Sequence, residues 1–184
     1  MKECVTILIK RSLIILIIMF IIRCAFSFNE IITKPTIYGI WGYASESISF
    51  TMFIMLWYEK WLWRVDPFIK IPKLSKKYKG KLISSYDNKV RECELEIKQT
   101  LLSLHIFMIS DESRSAACCA TLKNDDGIYK LIYTYLNKPK ATVRERSEIH
   151  YGTAMLNIDS KKTLEGSYFT DRKTIGEMSL KAYK

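Results

Sequence analysis

The residues best suited to chemistry in this sequence are tyrosines and an arginine spaced two positions apart. In residues 128–136, Tyr129, Leu131, Tyr133 and Tyr135 fall on one face of a strand, because successive side chains point to opposite sides. Near the C-terminus Gly166, Tyr168 and Thr170 share a face, and Arg172 joins them if pairing continues. Such a face suits a ligand with flat rings and negative charge, since tyrosine stacks and donates hydrogen bonds while guanidinium grips phosphate with two bonds. The plainer reading is that the tyrosines simply pack with their hydroxyls at a rim. His150 stands beside Tyr151, so a strand there turns at most one of the two inward.

Little in the sequence points to catalysis. His105 lies within the apolar run 101–109 and reads as a core or rim histidine, Asp125 and Asp126 belong to a turn, and Glu92, Glu94 and Glu96 form the solvated face of a strand. No nucleophile-elbow, zincin, phosphate-loop or dinucleotide-fingerprint motif occurs. The five cysteines, Cys4, Cys24, Cys93, Cys118 and Cys119, have no metal-ligand spacing, which fits a reducing compartment. Cys118 and Cys119 are adjacent and are therefore expected on opposite faces of a strand. The expectation is a binding protein with no catalytic residue, metal site or cofactor.

Short strands must position these residues. Gly80, Leu82, Ser84 and Tyr86 alternate with Lys81, Ile83 and Ser85, and Cys93, Leu95 and Ile97 alternate with the glutamates. Residues 101–109 are more uniformly apolar. Residues 113–122 and 128–136 flank Asn124-Asp125-Asp126-Gly127, a strong hairpin signal, and residues 149–158, 163–170 and 174–182 complete the count. Eight short strands joined by tight turns predict a small antiparallel meander β-barrel, with an open two-layer sandwich as the alternative. Eight strands enclose just enough space for one small ligand.

The chain has 184 residues and a net charge of +10, but two different stretches contribute to those totals. Residues 1–63 contain 40 hydrophobic residues and ten charged ones, whereas the remaining 121 contain 49 and 38. Behind the apolar head there is room for one domain of roughly 110 residues, which excludes a multidomain enzyme. Most of the basic surplus lies in this second part and favours an anionic partner: a nucleotide, nucleic acid or an anionic membrane face.

The head predicts two N-terminal transmembrane α-helices. Residues 13–22 are unbroken apolar sequence that extends with its flanks to the ~20 residues of a span, and residues 37–63 are also long enough. A turn over residues 29–36, containing Lys34 and Pro35, joins them. A cleaved signal peptide is the alternative for the first, with Lys10 and Arg11 as its charged region, but no small-residue cleavage site follows. Lys and Arg flank both spans at the ends away from the turn, while the turn has only Lys34, so both termini should face the cytoplasm. Trp57, Tyr58, Trp61 and Trp63 read as an interfacial anchor. Arg23 and Glu46 lie within the spans, where a charge costs at least ~2.5 kcal/mol, so either they pair or each snorkels to the outer interface. The expected organisation is a membrane hairpin over residues 1–63, a basic linker over 64–74 and a β-barrel over 75–184.

Several local sequences carry a resemblance. Tyr78-Lys79-Gly80-Lys81-Leu82 opens the β-rich part, Tyr133-Thr134-Tyr135-Leu136-Asn137-Lys138-Pro139 and His150-Tyr151-Gly152-Thr153 follow, and Leu164-Glu165-Gly166-Ser167-Tyr168-Phe169-Thr170-Asp171-Arg172 lies near the end. Together with two N-terminal spans, over nearly the whole chain, these resemble the CD-NTase-associated protein 15 family, effectors of bacterial CBASS anti-phage defence. The resemblance implies a cytoplasmic barrel that senses a cyclic dinucleotide from a partner CD-NTase. It further implies homo-oligomerisation through the membrane helices, loss of inner-membrane integrity and death of the infected cell, with no nucleic-acid polymer as partner. Parity and chemistry place Tyr133 and Tyr135 for stacking and Thr170 and Arg172 for phosphate, with Tyr78, His150 and Tyr168 beside them. A membrane-tethered carrier of a lipid or apolar metabolite, or a basic adaptor on anionic lipid, would be the competing functions.

Overall fold

The computed structural model describes residues 2–33, 36–160 and 162–183, so Lys34 and Pro35 of the expected turn lie outside the described residues. Contacts divide the chain into two units, residues 1–69 with 100–102 and residues 70–99 with 103–184.

The first unit is helical: α1 (Lys2–Phe26), α2 (Phe28–Thr33) and α3 (Ile37–Lys60). Much of the expected turn over 29–36 is therefore the short helix α2, started by the Ile31 amide donating to Ser27 O at 3.0 Å and stabilised by the Thr33 hydroxyl on Asn29 O at 2.7 Å. The Thr36 hydroxyl caps α3 by accepting from the Gly39 amide at 3.2 Å. Cys4–Phe26 is long and apolar enough to cross a membrane, with a mean hydropathy of 2.6, and it alone among the described residues meets that standard. α3 has 24 residues, but Ser45, Glu46, Ser47 and Ser49 interrupt its apolar surface.

Two polar clusters brace α1 against α3 and the segment after it. At one level the Arg23 Nε contacts the Glu46 carboxylate, its Nη1 contacts the Ser27 hydroxyl, and the guanidinium lies 4.5 Å from the Tyr43 ring centroid. At the other, Asp66 accepts from Arg11 Nη2 at 2.9 Å and from the Tyr58 hydroxyl at 2.6 Å. Of the four aromatic residues expected as an interfacial anchor, only Trp57 and Trp61 are exposed, packed edge to face at 6.0 Å. Tyr58 and Trp63 are buried, Tyr58 because its hydroxyl is used on Asp66.

The second unit is a closed barrel of eight strands in sequential order: β1 (Lys77–Ser84), β2 (Val90–Gln99), β3 (Leu104–Ser110), β4 (Ser113–Asp125), β5 (Ile128–Pro139), β6 (His150–Ser160), β7 (Thr163–Thr170) and β8 (Ile175–Ala182). Every neighbour is antiparallel, and β1 pairs with β8, so the open sandwich is excluded. The β4–β5 turn is Asp126-Gly127, both at positive φ (51° and 90°), as a two-residue hairpin connection demands. Inward positions form one buried core that includes Tyr78, Leu82, Cys93, Leu95, Ile97, Ile106, Leu131, Leu156, Leu164 and Leu180.

Two expectations about single residues fail for reasons of register. His105 is exposed: strand β3 begins only at Leu104, so Leu104, Ile106 and Met108 turn inward while His105, opposite Lys98, turns out. Cys118 and Cys119 do not face opposite sides. A β-bulge between Ala117 and Cys119 inserts Cys118 without an opposing residue on β5, and both side chains are exposed.

Closure relies on a close approach at the β1–β8 seam. A Cβ at Gly80 would lie 2.0 Å from Ser179 O and 2.7 Å from Leu180 Cα, so even alanine forces these strands apart. Gly80→Ala is expected to destabilise the barrel by about 1–3 kcal/mol, read as a lower urea midpoint. An unchanged midpoint would mean that the seam can admit a methyl group without cost.

Candidate functional site

The two ends of the barrel differ. At the end where β1 begins and β2 finishes, the Leu74 amide donates to Gln99 Oε1 and Gln99 Nε2 donates to Pro72 O, each at 2.9 Å. The Tyr78 hydroxyl accepts from the Ser75 amide at 2.9 Å, and Leu74 and Tyr78 are buried. This end is filled.

At the other end a cavity opens among the connections β1–β2, β3–β4, β5–β6 and β7–β8. Its walls are Leu82, Ser84, Met108, Ser110, Ser113, Tyr135, Asn137, Tyr168, Thr170, Thr174 and Met178, and its rim carries Tyr86, Arg91, Glu112, Arg146, Ser147, His150 and Arg172. The mixture of apolar floor, hydroxyls and three guanidiniums suits a ligand with both ring faces and anionic groups.

Glycines opposite the tyrosines shape the wall. Tyr135 pairs with Gly152 on β6, and Tyr168 pairs with Gly176 on β8. A Cβ at Gly152 would lie 2.5 Å from the Tyr135 ring, and one at Gly176 would lie 2.5 Å from the Tyr168 ring, so each ring lies over bare backbone. Burial, aided by nearby Tyr168 and Asp171, pushes the Tyr135 phenol far above the usual tyrosine range, so it stays a protonated donor at neutral pH. Thr170 and Thr174 share a hydroxyl contact of 2.6 Å across the β7–β8 turn.

The arginines are held differently. Arg91 makes a two-pronged pair with Asp87, at 2.9 and 2.7 Å, and its Nε lies 3.3 Å from Glu112. Arg146, in the β5–β6 connection, donates to the other Glu112 oxygen at 2.6 Å. Arg172 donates to the neutral Ser147 hydroxyl at 3.3 Å. Asp87 raises the Arg91 pKa, and in turn Arg91 holds the Asp87 carboxyl at about 2. The β3–β4 turn is fixed to the β5–β6 connection where the Lys140 amide donates to Glu112 O at 2.8 Å.

Five residues singled out in the sequence, Tyr135, Tyr168, Thr170, Arg172 and His150, line this cavity. Arg172 does so from the β7–β8 turn, since strand β7 ends at Thr170, and His150 is placed with its Nδ1 2.8 Å from Glu148 O while Tyr151 turns outward. Tyr133 and Tyr78 are not among the lining residues: Tyr133 is 1% exposed within the core, and Tyr78 belongs to the filled end. Arg91, Arg146 and Glu112 were not expected. Arg91 had a signal, as it shares parity with Cys93, Leu95 and Ile97, but Arg146 lies in an aperiodic connection with none.

A family model described as "Cap15, cyclic dinucleotide receptor domain" matches residues 69–182, which include every strand and every residue of the cavity. The chain belongs to this family. It is 32% identical over 144 residues to CD-NTase-associated protein 15 of Staphylococcus schleiferi, an alignment covering 76% of this chain and 79% of that relative.

Two measurements probe this construction. The Tyr133 hydroxyl is buried with no hydrogen-bond partner among the described residues, so Tyr133→Phe is expected to raise stability by about 1 kcal/mol in urea unfolding; a loss of stability would reveal a partner for that hydroxyl. Because the Asp87 pKa is depressed in the folded chain, its contribution to stability is complete above 3.8 and is lost as pH falls towards 2. Asp87→Asn should flatten the fall in melting temperature across that window, and an identical acid profile in the variant would exclude this role.

Proposed function

We propose that this chain is a membrane-anchored receptor for a cyclic dinucleotide made by a partner nucleotidyltransferase, acting as a CBASS effector. The observation that carries the reading is the cavity itself, in which Tyr135 and Tyr168 stand among Arg91, Arg146 and Arg172 at the open end of a closed barrel. A cyclic dinucleotide presents two bases and two phosphates, and tyrosine and guanidinium are the side chains that answer them. The family membership supports the same ligand class. A carrier of apolar molecules would need an aliphatic lumen, and three arginines with a ring of serines and threonines argue against one. The function is binding, not catalysis.

The helical unit is the acting part in this proposal: α1 and α3 both cross the inner membrane, both termini face the cytoplasm, and ligand binding drives self-association and loss of membrane integrity. Glu46 is tolerable in α3 because Arg23 neutralises it. The spacing of the polar clusters supports disruption. Arg11 and Arg23 are twelve residues apart on one helix, about 18 Å at the α-helical rise, against a hydrocarbon core of ~30 Å. The hairpin must therefore hold its Arg23–Glu46 pair inside the hydrocarbon or thin the bilayer around it. Either strains the membrane, and clustering multiplies the effect. Moving an equilibrium from 1:99 to 99:1 takes ~5.5 kcal/mol. Two charge-assisted phosphate contacts of ~1.5–3 kcal/mol each supply most of that, and multivalent assembly adds to it.

The test is calorimetric titration of the full-length protein in detergent with cyclic di-AMP, cyclic di-GMP and cyclic GMP–AMP, alongside Arg172→Ala. The variant is expected to lose binding and nucleotide-dependent toxicity while keeping its melting temperature. Wild-type affinity in Arg172→Ala would remove Arg172 from the site, and silence of the wild type towards all three nucleotides would remove the receptor reading.

A further inference from the structure

The three arginines at the cavity mouth are unequal, and the difference comes from the carboxylates that each one meets. Arg91 is committed, with two nitrogens on Asp87 and its Nε towards Glu112. Arg146 is half-exposed and makes its ion pair with Glu112 at 2.6 Å. Arg172 forms no ion pair among those of the described residues and touches a neutral hydroxyl. Glu112 itself sits in the two-residue β3–β4 turn with its side chain 36% exposed, so it can swing towards solvent without disturbing a strand.

Resting on the receptor reading, we infer that Glu112 is a resident counter-ion that the ligand must displace, and that it makes the site select anions carrying two phosphates. A carboxylate on the rim repels an incoming phosphate, yet its bond to Arg146 is made in the same way a phosphate would make it. A ligand with one phosphate reaches Arg172 alone and leaves the Glu112 carboxylate in place to repel it. A ligand with two reaches Arg146 as well, takes over that guanidinium and releases Glu112 to water. Arg91 keeps Asp87 throughout, so the arginine geometry survives the exchange. Glu112 thus lowers affinity for every anion and removes most binding by those unable to compete for Arg146. It is a specificity-determining residue that need not touch the bound ligand.

Glu112→Gln tests this, because it keeps size and hydrogen-bonding capacity and removes the charge. Full-length wild type, Glu112→Gln, Arg146→Ala and the double variant would be titrated in detergent with the three cyclic dinucleotides above and with 3′,5′-cyclic AMP, each after its melting temperature is measured. Glu112→Gln is expected to bind the favoured cyclic dinucleotide about tenfold more tightly, the factor that 1.4 kcal/mol represents, and to gain measurable affinity for cyclic AMP. The gain in cyclic dinucleotide affinity should vanish in the double variant, because it acts through Arg146. Weaker binding by Glu112→Gln would make Glu112 a direct ligand contact, and unchanged binding would show that its carboxylate is not in the way; either result overturns the inference while leaving the receptor reading intact. No binding of any cyclic dinucleotide by wild type or Glu112→Gln would instead overturn the receptor reading, and this inference with it.

Discussion

The pairing of β1 with β8 is the constraint on which the β-unit depends. It removes both free sheet edges, and once the sheet is closed each strand has an inside and an outside. Alternation then leaves no choice about which side chains fill the interior: Tyr78, Leu95, Ile97, Leu131 and Leu164 crowd it at depth. A closed eight-stranded interior is narrow, so a cavity can exist only where small or polar side chains replace aliphatic ones. Ser84, Ser110, Ser113, Asn137, Thr170 and Thr174 do this at one end, while Gln99, Leu74 and Tyr78 fill the other.

Charge is handled by the same device in the two units but to different ends. In the helical unit Arg11 and Arg23 are each matched to a carboxylate, Asp66 and Glu46, so both of these guanidiniums are neutralised locally. In the barrel the arginines outnumber the carboxylates at the rim, so positive potential remains for an anion. Asp87 and Glu112 offset part of that potential while orienting Arg91 and Arg146 at the rim.

Much of this was legible in the sequence because a barrel wall is a periodic object. The parity of Tyr135, Tyr168 and Thr170 follows from counting by two, and the Asp126-Gly127 turn from its residue types. Counting fails where a strand is irregular or ends. The bulge at Cys118 shifts parity without any glycine to announce it, and the late start of β3 puts His105 outside. Parity also says nothing about depth, which is why Tyr133 and Tyr135, on one face and with rings 5.8 Å apart, have different surroundings: one sealed in the core and one on the cavity wall.

By itself the sequence determined the division into an apolar helical head and a basic β-rich body, the number and direction of the strands, and the supply of tyrosines and an arginine for an anionic ring-bearing ligand. Those are consequences of local pattern and composition, which need no long-range contact to be expressed. Only the tertiary structure decided which end of the barrel is open, and which arginines reach it. Arg91, Arg146 and Arg172 come from β2, from the β5–β6 connection and from the β7–β8 turn, and it is closure of the sheet that brings these three segments to one rim.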